Sequence, residues 1–376
     1  NLGLRGLISL NRFKKRLKKN KPFFPAFLAV SITDKCNLSC RGCWVSQSES
    51  SKQLSYEQLD NIVKTAKKYG SYFFAILGGE PLLHPQIFEI MEKHSDCYFQ
   101  LFTNGTMLTE KTALKLRSLA NVSPLISIEG LEKETGHRRG DEKVFQKSVD
   151  AVINCVNQKL FTGVATSICK TNFDELVSEK FLNFLIKKGV HYVWYYIYRP
   201  VGKDPAPDLA ITEEQIIKLR KFIVRARTEF NIIIIDAYWD ANGEALCPAA
   251  TGMSHHINPA GAVEFCPPLQ FAAEYLNATG DNLENIMNES HFLEQLRSMV
   301  ANETRGCIIL ENPEKLADFM KKNKIKNSSS RNTGYTELEQ MIKLPGHNIS
   351  NNPIPEKSKI YKYMKKKSFF GFGAYG

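Results

Sequence analysis

The stretch from Phe27 to Trp44 reads FLAVSITDKCNLSCRGCW and places Cys36, Cys40 and Cys43 directly after a short apolar run. The spacing between these cysteines is C-x3-C-x2-C. Three thiolates on one loop can ligate three irons of a four-iron cluster, which leaves the fourth iron without a protein ligand. A structural zinc site, completed by Asp34 or by a distant cysteine, is the alternative because it needs four ligands. The spacing favours a redox-active iron–sulfur centre.

A second motif follows after one helical stretch. Residues 73–81 read FFAILGGEP, so Gly78, Gly79 and Glu80 come at the end of an apolar run. Glycine pairs often mark only a turn, but the two motifs in this order resemble the signatures of the radical S-adenosylmethionine (radical SAM) enzymes. The resemblance implies a [4Fe–4S] cluster on the three cysteines, with S-adenosylmethionine on the open iron. It also implies reductive cleavage to a 5′-deoxyadenosyl radical, which abstracts hydrogen from an unactivated carbon.

The resemblance also implies ligands for S-adenosylmethionine. Gly78 and Gly79 lack a Cβ and let the backbone approach the cofactor, and Glu80 can accept its methionine ammonium. The alternative for Glu80 is a residue that starts a helix before Pro81. Ser127 and Glu129, in a Ser-Ile-Glu-Gly at the fourth strand end, are candidates for the ribose because many relatives have a similar Ser-Leu-Asp-Gly.

Residues 135–140 loosely resemble the family's His-Asp-x-x-Arg loop, so Arg138 or Arg139 can pair with the cofactor carboxylate. A surface loop of solvated arginines is the alternative. Asn104 either faces the pocket or supplies a turn. The chain departs from its relatives at Gly42, where they usually carry an aromatic residue next to the adenine. Contacts with adenine then shift to backbone or to Trp44.

Strand-like apolar runs alternate with amphipathic helical stretches from Phe27 to Tyr198. Continuous apolar strands between helices predict a parallel sheet covered by helices. The six units match the partial (βα)6 barrel of the family, an α/β fold with its chemistry at the carboxyl ends of the strands. The predicted strands are Phe27–Thr33, Tyr72–Leu77, Cys97–Phe102, Leu125–Ile128, Thr162–Cys169 and Tyr192–Tyr198.

The rest of the chain divides by composition. We predict a basic amphipathic segment over 1–25, the barrel over 26–205, a linker helix and strand over 206–243, a small auxiliary-cluster domain over 244–312, and a basic, partly flexible tail over 313–376. The spacing of Thr212 and Gln215 predicts a capping box for the linker helix.

Three later cysteines lie in the small domain. Cys247, Gly261 and Cys266 form a C-x13-G-x4-C pattern that resembles the opening of SPASM and Twitch auxiliary-cluster domains, and Cys307 follows. The dense cysteine run of a full SPASM domain is missing, so we expect one auxiliary [4Fe–4S] cluster rather than two. His255, His256, Glu264 or substrate can supply a fourth ligand. Unligated buried thiols or zinc are the alternatives.

The net charge of +11 comes from basic residues at the two ends of the chain. Residues 1–21 hold eight basic side chains and no acidic one, and Leu4, Leu7, Ile8, Phe13 and Leu17 lie roughly on one helical face. A basic amphipathic helix can rest on an anionic membrane, as can a tail with Tyr361, Tyr363, Phe369, Phe370 and Phe372. A helix packed on the barrel beside a solvated tail is the alternative, and RNA binding is a third.

No apolar run approaches the roughly 20 residues that cross a bilayer, and the first residues show no signal peptide. Nine cysteines are too few for a disulfide scaffold, so we predict a cytoplasmic protein, possible peripheral membrane contact and an electron donor such as flavodoxin or ferredoxin.

The leading hypothesis is a radical SAM enzyme that modifies a lipid-like or membrane-associated substrate. A peptide-modifying enzyme is the alternative, and the 25 or so residues before the barrel are too few for a leader-recognition domain. An RNA-modifying protein or a non-catalytic iron–sulfur protein are hypotheses from other classes. No motif in the sequence indicates which side chain is catalytic.

Overall fold

The computed structural model describes residues 2–19, 23–45, 51–202, 204–331, 333–349 and 353–367, with side chains from residue 5 to residue 366. The strands are β1 (Phe27–Ser31), β2 (Phe73–Leu77), β3 (Tyr98–Thr103), β4 (Val122–Ser127), β5 (Gly163–Ile168), β6 (Tyr192–Ile197), β7 (Ile233–Ile235), β8 (Ser254–Ile257), β9 (Val263–Glu264), β10 (Phe271–Ala272) and β11 (Lys326–Asn327).

The helices alternate with the strands up to β7 and then dominate the chain. They are α1 (Leu2–Lys18), α2 (Tyr56–Lys68), α3 (Ile87–Lys93), α4 (Glu110–Leu119), α5 (Glu132–Arg139), α6 (Val144–Asn157), α7 (Phe173–Leu176), α8 (Glu179–Lys187), α9 (Glu213–Glu229), α10 (Leu283–Glu289), α11 (His291–Glu303), α12 (Ile308–Glu311), α13 (Pro313–Lys322), α14 (Gly334–Glu339) and α15 (Lys359–Lys367). Thr212 and Gln215 form the predicted capping box of α9.

Nine strands form one sheet in the order β7-β6-β5-β4-β3-β2-β1-β8-β9. All neighbours from β7 to β8 are parallel, and β9 runs antiparallel to β8. The predicted α/β fold is therefore confirmed. The sheet extends beyond the six predicted units at both edges, because β7 of the predicted linker pairs with β6 and β8 of the predicted small domain pairs with β1.

The sheet is strongly curved. The rings of Phe102 on β3 and Trp194 on β6 lie 5.9 Å apart, although two strands separate theirs in the sheet. A flat sheet would hold strands three places apart at about 14 Å. Successive side chains along each strand therefore face alternately the covering helices and a shared interior. The carboxyl ends of β1 to β6 lie around one opening.

Helix α1 packs against this sheet instead of presenting its apolar face to solvent. Leu10 and Phe13 are buried in one cluster with residues from the inner face of the sheet, among them Phe27 and Trp194, and with Tyr361 of α15. Leu17 is half exposed. The alternative of a helix packed on the barrel is thus what the structure shows for the described side chains. Leu4, Phe369, Phe370 and Phe372 lie outside them.

The segment before and within α15 is anchored by a cluster of buried charges, in contrast to the flexible tail that its composition predicts. Asp236, directly after β7, contacts Arg227 at 2.7 Å, Lys365 at 3.1 Å and Arg220 at 3.5 Å. Glu356 contacts the same three cations. All five side chains are fully buried. The pairs join α9, the end of β7 and the C-terminal segment.

Within the described ranges, no helix is long and apolar enough to cross a bilayer.

Candidate functional site

The cysteine loop and the Gly-Gly-Glu turn pack backbone to backbone at the carboxyl ends of β1 and β2. The amide of Gly79 donates to the carbonyl of Thr33 at 2.8 Å, and the amide of Glu80 donates to the carbonyl of Lys35 at 2.7 Å. A Cβ on Gly79 would lie 2.2 Å from the Lys35 carbonyl oxygen, and one on Gly78 would lie 2.4 Å from that of Thr33. Both glycines are therefore needed to seat the cysteine loop, and their approach to a cofactor stays a prediction.

Glu80 is fully buried and ties together the ends of β2 and β3. Its carboxylate accepts hydrogen bonds from the amides of Leu82 and Asn104, at 3.1 and 2.8 Å, and from the Thr103 hydroxyl at 2.8 Å. Burial raises the pKa of this carboxyl, although these hydrogen bonds oppose the shift. Glu80 also caps the short 3-10 helix that begins at Pro81, as the alternative predicts. Its contact with a methionine ammonium stays a prediction.

The three thiols of the first triad, Cys36, Cys40 and Cys43, lie on one loop and are partly buried. Burial raises the pKa of Cys36 to about 11, and the charges of Cys40, Glu80 and Cys43 add to the shift. Burial also raises the pKa of Cys40. Thiolates are the ligands of iron–sulfur clusters, and metal binding must displace their protons. In the described part of the chain, no three His, Cys, Asp or Glu side chains are arranged to hold a single metal ion.

The predicted ribose candidate Glu129 already has two protein partners. One carboxylate oxygen accepts the amide of Ser167 at 2.7 Å, and the other forms an ion pair with Arg139. Arg139 in turn lies 3.8 Å from the sulfur of Cys40. Burial alone would lower the pKa of Arg139, but Glu129 and Cys40 raise it. The pair thus holds a cation beside the first triad. Ser127 is half buried at the end of β4, and both ribose contacts stay predictions.

Compared with its neighbour Arg139, in which only Nε lacks a hydrogen-bond partner among the described residues, Arg138 has more unused donors. It is 6% exposed, and its Nε and Nη1 have no hydrogen-bond partner among the described residues. Its guanidinium carbon lies 4.9 Å from the centre of the Tyr198 ring, and its carbonyl accepts the amide of Arg41 in the cysteine loop at 3.0 Å. Buried polar groups rarely go unpaired in native proteins. The unused N–H groups of these two nitrogens, beside the cysteine loop, therefore suit a bound carboxylate.

Asn104 and Gly42 also lie near the cysteine loop. Asn104 forms a turn, because its side-chain oxygen accepts the amide of Thr106 at 2.9 Å, while its amide nitrogen donates to Asn37 at 2.8 Å. At Gly42, a Cβ would lie 2.3 Å from the Tyr198 hydroxyl oxygen. Tyr198, directly after β6, thus occupies the space that a side chain at position 42 would need.

Cys247, Cys266 and Cys307 form a second triad, with Cys307 buried and the others partly buried. Burial raises the pKa of Cys266 well above its usual value, and the charges of Cys247 and Cys307 add to the shift. Burial likewise raises the pKa of Cys247 to about 11. Arg199, two residues after β6, donates its Nε to the Cys307 sulfur at 3.1 Å. The three distant cysteines therefore meet at one place beside the barrel.

The three side chains suggested as a fourth ligand are engaged elsewhere. His255 contacts the Phe265 carbonyl at 3.1 Å through Nδ1 and Arg297 at 3.0 Å through Nε2. His256 lies between Ser31 at 2.7 Å and Glu264 at 2.6 Å. The second carboxylate oxygen of Glu264 accepts hydrogen bonds from Asn258 and Ser328. These contacts join β8 and β9 to the barrel and leave none of the three side chains free to bind metal.

We expect Arg138→Gln to raise the dissociation constant for S-adenosylmethionine of the reconstituted protein by roughly 10- to 100-fold. The reason is the loss of a charge-assisted hydrogen bond, which is worth about 1.5–3 kcal/mol. Equilibrium dialysis measures the constant. Arg225→Gln is the matched control, since Arg225 is exposed and forms ion pairs with Glu179 and Glu229 at the surface. A constant for Arg138→Gln as close to wild type as that of the control would contradict the assignment.

Comparisons with known proteins show which family and which relatives this chain is similar to. Residues 30–178 match the model of the radical SAM superfamily. The chain is 26% identical over 191 residues to an AdoMet-dependent heme synthase of Methanosarcina barkeri, which covers 49% of this chain and 54% of that protein. It is 26% identical over 293 residues to the mycofactocin maturase MftC of Mycolicibacterium smegmatis, covering 73% and 72%. Across three curated relatives, the chain spans 54% to 64% of their length.

Solved structures show the same fold. SuiB of Streptococcus suis bound to S-adenosylmethionine aligns with a TM-score of 0.65 at 16% identity, covering 81% of this chain and 73% of SuiB. SuiB bound to precursor peptide SuiA aligns with a TM-score of 0.63 at 17% identity, covering 77% of this chain and 70% of that chain.

Sequence reasoning missed Tyr198 and Arg199 as site residues. Both directly follow the sixth strand, and functional residues of parallel α/β folds gather at such strand ends. That rule alone could have marked them. The contact of Arg199 with Cys307 could not be inferred from the sequence, because 108 positions separate the two residues in the chain.

Proposed function

The chain belongs to the radical SAM superfamily through residues 30–178, and from this premise we propose that it is an enzyme that cleaves S-adenosylmethionine reductively and modifies an unactivated carbon of a peptide substrate. The single observation that carries the proposal is the seating of the three-cysteine loop on the Gly-Gly-Glu turn, with the unused Nε and Nη1 of Arg138 beside it. When bound, a [4Fe–4S] cluster supplies the electron for the cleavage.

The residues of the opening have separate tasks in this proposal. Cys36, Cys40 and Cys43 hold the cluster, and Arg138 binds the carboxylate of S-adenosylmethionine through its unused N–H groups. Glu80 keeps the turn after β2 in place, through its contacts with Thr103 and Asn104. These fixed elements orient the cofactor before reaction, which is the protein's part in cofactor chemistry. The electron itself comes from an external donor such as flavodoxin or ferredoxin.

A peptide is favoured as the substrate by two similarities. The relative that aligns with most of this chain among those described above is a maturase, and a structural neighbour is described with a precursor peptide. The lipid-like substrate is a second candidate, because Leu17, Ile360 and Tyr363 are exposed among the basic residues of α1 and α15. Its support is smaller than the sequence indicates, because Leu10, Phe13 and Tyr361 are used in packing. The cytoplasmic location and any membrane contact stay predictions.

We also propose one auxiliary [4Fe–4S] cluster on Cys247, Cys266 and Cys307. Three neighbouring cysteines suit an iron–sulfur cluster, whose irons are ligated by thiolates. Since His255, His256 and Glu264 are engaged elsewhere, a fourth ligand to this cluster comes from another source, such as substrate.

Anaerobic reconstitution followed by dithionite and S-adenosylmethionine tests the function. We expect roughly eight irons per chain, because each triad takes one four-iron cluster, together with release of 5′-deoxyadenosine. Protein that binds iron but releases no 5′-deoxyadenosine would indicate a non-catalytic iron–sulfur protein. Flotation with anionic liposomes tests the lipid candidate, and salt-dependent affinity for RNA tests nucleic-acid binding.

A further inference from the structure

We propose that His347 is the fourth ligand of the auxiliary cluster and binds it through Nδ1, so that the second triad and one histidine complete the site within this chain. The inference rests on the proposed function and deepens its auxiliary cluster. It replaces the three ligands that the sequence suggests, His255, His256 and Glu264, because their side chains are engaged elsewhere.

Within the described ranges, one nitrogen of the His347 ring has no hydrogen-bond partner. The side chain is buried, with 2% of its surface exposed, and its Nε2 lies 3.2 Å from the carbonyl oxygen of Leu246. A carbonyl oxygen only accepts hydrogen bonds, so Nε2 carries the proton and Nδ1 of the neutral ring carries the lone pair. Buried polar atoms are rarely left unsatisfied. The unused lone pair therefore points to a bound group.

The orientation of His347 is the one that metal-binding histidines adopt. Such a histidine donates the N–H of one ring nitrogen to a carboxylate or a backbone carbonyl, which fixes the ring and leaves the other nitrogen to the metal. The carbonyl of Leu246 has this role here. The ring centres of His347 and Tyr238 lie 4.9 Å apart, and Trp239 donates its Nε1 to the His347 carbonyl at 2.9 Å. Nδ1 is thus held in a fixed orientation.

The partner of His347 lies next to a cysteine of the second triad. Leu246 directly precedes Cys247 in the chain. The amide of Leu246 donates to the carbonyl of Tyr238 at 2.9 Å, while its carbonyl faces the imidazole. One short segment of backbone therefore carries both Cys247 and the acceptor that orients the histidine.

Arg199 connects the same ring to the other end of the triad. Its guanidinium carbon lies 5.4 Å from the centre of the Tyr238 ring, and its Nε donates to the Cys307 sulfur at 3.1 Å. The charge of Arg199 acts on the imidazole of His347, as it does on the other two thiols of the second triad. The imidazole and the three thiols therefore share one cationic neighbour.

A carboxylate joins the loop of His347 to the turn that carries Cys307. Glu311 accepts the amide of Cys307 at 3.4 Å and the amide of Asn348 at 3.3 Å. A Cβ on Gly346 would collide with the same carboxylate. The residues on both sides of His347 are therefore packed against this turn.

A four-iron cluster suits this arrangement better than a single ion does. Each protein ligand of such a cluster binds a different iron, so the ligand atoms lie farther apart than they do around one ion. In the part of the chain that the structure describes, no three side chains of the metal-binding types are placed to share one ion. Imidazole also replaces thiolate on one iron of Rieske centres. With His347 as the fourth ligand, no iron of this cluster is left open to substrate.

Pulsed electron paramagnetic resonance of the isolated second cluster tests the inference. The Cys36→Ala, Cys40→Ala, Cys43→Ala variant is reconstituted anaerobically with iron and sulfide and reduced with dithionite, once with natural and once with nitrogen-15-labelled histidine. We expect the echo modulation of a nitrogen bound directly to iron. We also expect it to change with the label, which distinguishes the imidazole from the Arg199 nitrogen beside Cys307.

Three further substitutions in the same variant identify the histidine. His347→Gln should abolish the modulation, although its amide can still donate to the Leu246 carbonyl. His347→Cys should abolish it as well and keep roughly four irons, because a thiolate replaces the imidazole. His255→Gln is the matched control and should keep the modulation, since both ring nitrogens of this buried histidine are engaged.

A modulation that does not respond to labelled histidine, or one that persists in His347→Gln, would overturn the inference. Its loss in His255→Gln alone would do the same, and so would the lack of any second cluster after reconstitution. Release of 5′-deoxyadenosine by the wild-type protein is measured separately. If the product forms in any of these cases, the proposed cleavage stands while the inference fails.

Discussion

The Cys36→Ala, Cys40→Ala, Cys43→Ala variant should release no 5′-deoxyadenosine above background while keeping about half of the iron. The loss is expected to be complete, because these three thiols are the only ligands that the proposal assigns to the cluster beside Arg138. The second triad is built from other segments of the chain, which carry Cys247, Cys266 and Cys307, so its iron should remain. Product is measured by mass spectrometry and iron by a colorimetric assay.

Cys97→Ala, Cys155→Ala is the matched control, since both thiols are buried in the core cluster under the helices of the barrel. We expect this variant to keep both its iron and its product, although each substitution removes some packing. Release of 5′-deoxyadenosine by the triple variant, or an equal loss in the control, would contradict the assignment of the first triad.

Asp236→Asn should lower the free energy of unfolding by about 3–5 kcal/mol, the usual effect of breaking a buried ion pair. The substitution leaves Arg220, Arg227 and Lys365 buried with only Glu356 as an anion. Burial alone would raise the pKa of Asp236, but the three cations lower it well below its ordinary value. The contribution of Asp236 to the free energy of unfolding is therefore present at neutral pH and is lost as the pH falls below about 4.

Urea unfolding measures this difference, and Asp174→Asn is the matched control. Asp174 pairs with Lys218 at 3.1 Å, but both side chains are mostly exposed. Such pairs contribute about 0–1 kcal/mol. A loss for Asp236→Asn no larger than that of the control would show that the buried cluster does not anchor the C-terminal segment.

Local patterns were sufficient to predict the barrel. Each of the six predicted strands overlaps an observed one, because continuous apolar runs such as Phe73–Leu77 are typical of a parallel sheet that helices cover on both faces. The edges of the sheet were harder to predict. The run Ser254–Ile257 contains two histidines and gives no strand signal, yet it pairs with β1 because His256 is satisfied by Ser31 and Glu264.

The C-terminal segment was misjudged for a related reason. Its lysines and single glutamate predict a solvated chain, since charged residues are rarely buried without partners. Glu356 and Lys365 do have partners, but these lie on α9 and at the end of β7, more than 100 positions away. Composition cannot show which charges meet. The same limit applies to the choice between Arg138 and Arg139, which depends on where Glu129 lies.

The most direct test of the central claim is the electron paramagnetic resonance spectrum of the reduced, reconstituted Cys247→Ala, Cys266→Ala, Cys307→Ala variant, recorded with and without S-adenosylmethionine. If the first triad leaves one iron open to the cofactor, the spectrum of its cluster changes when S-adenosylmethionine is added. An identical spectrum at saturating cofactor, or a first triad that binds zinc in place of iron, would contradict the account.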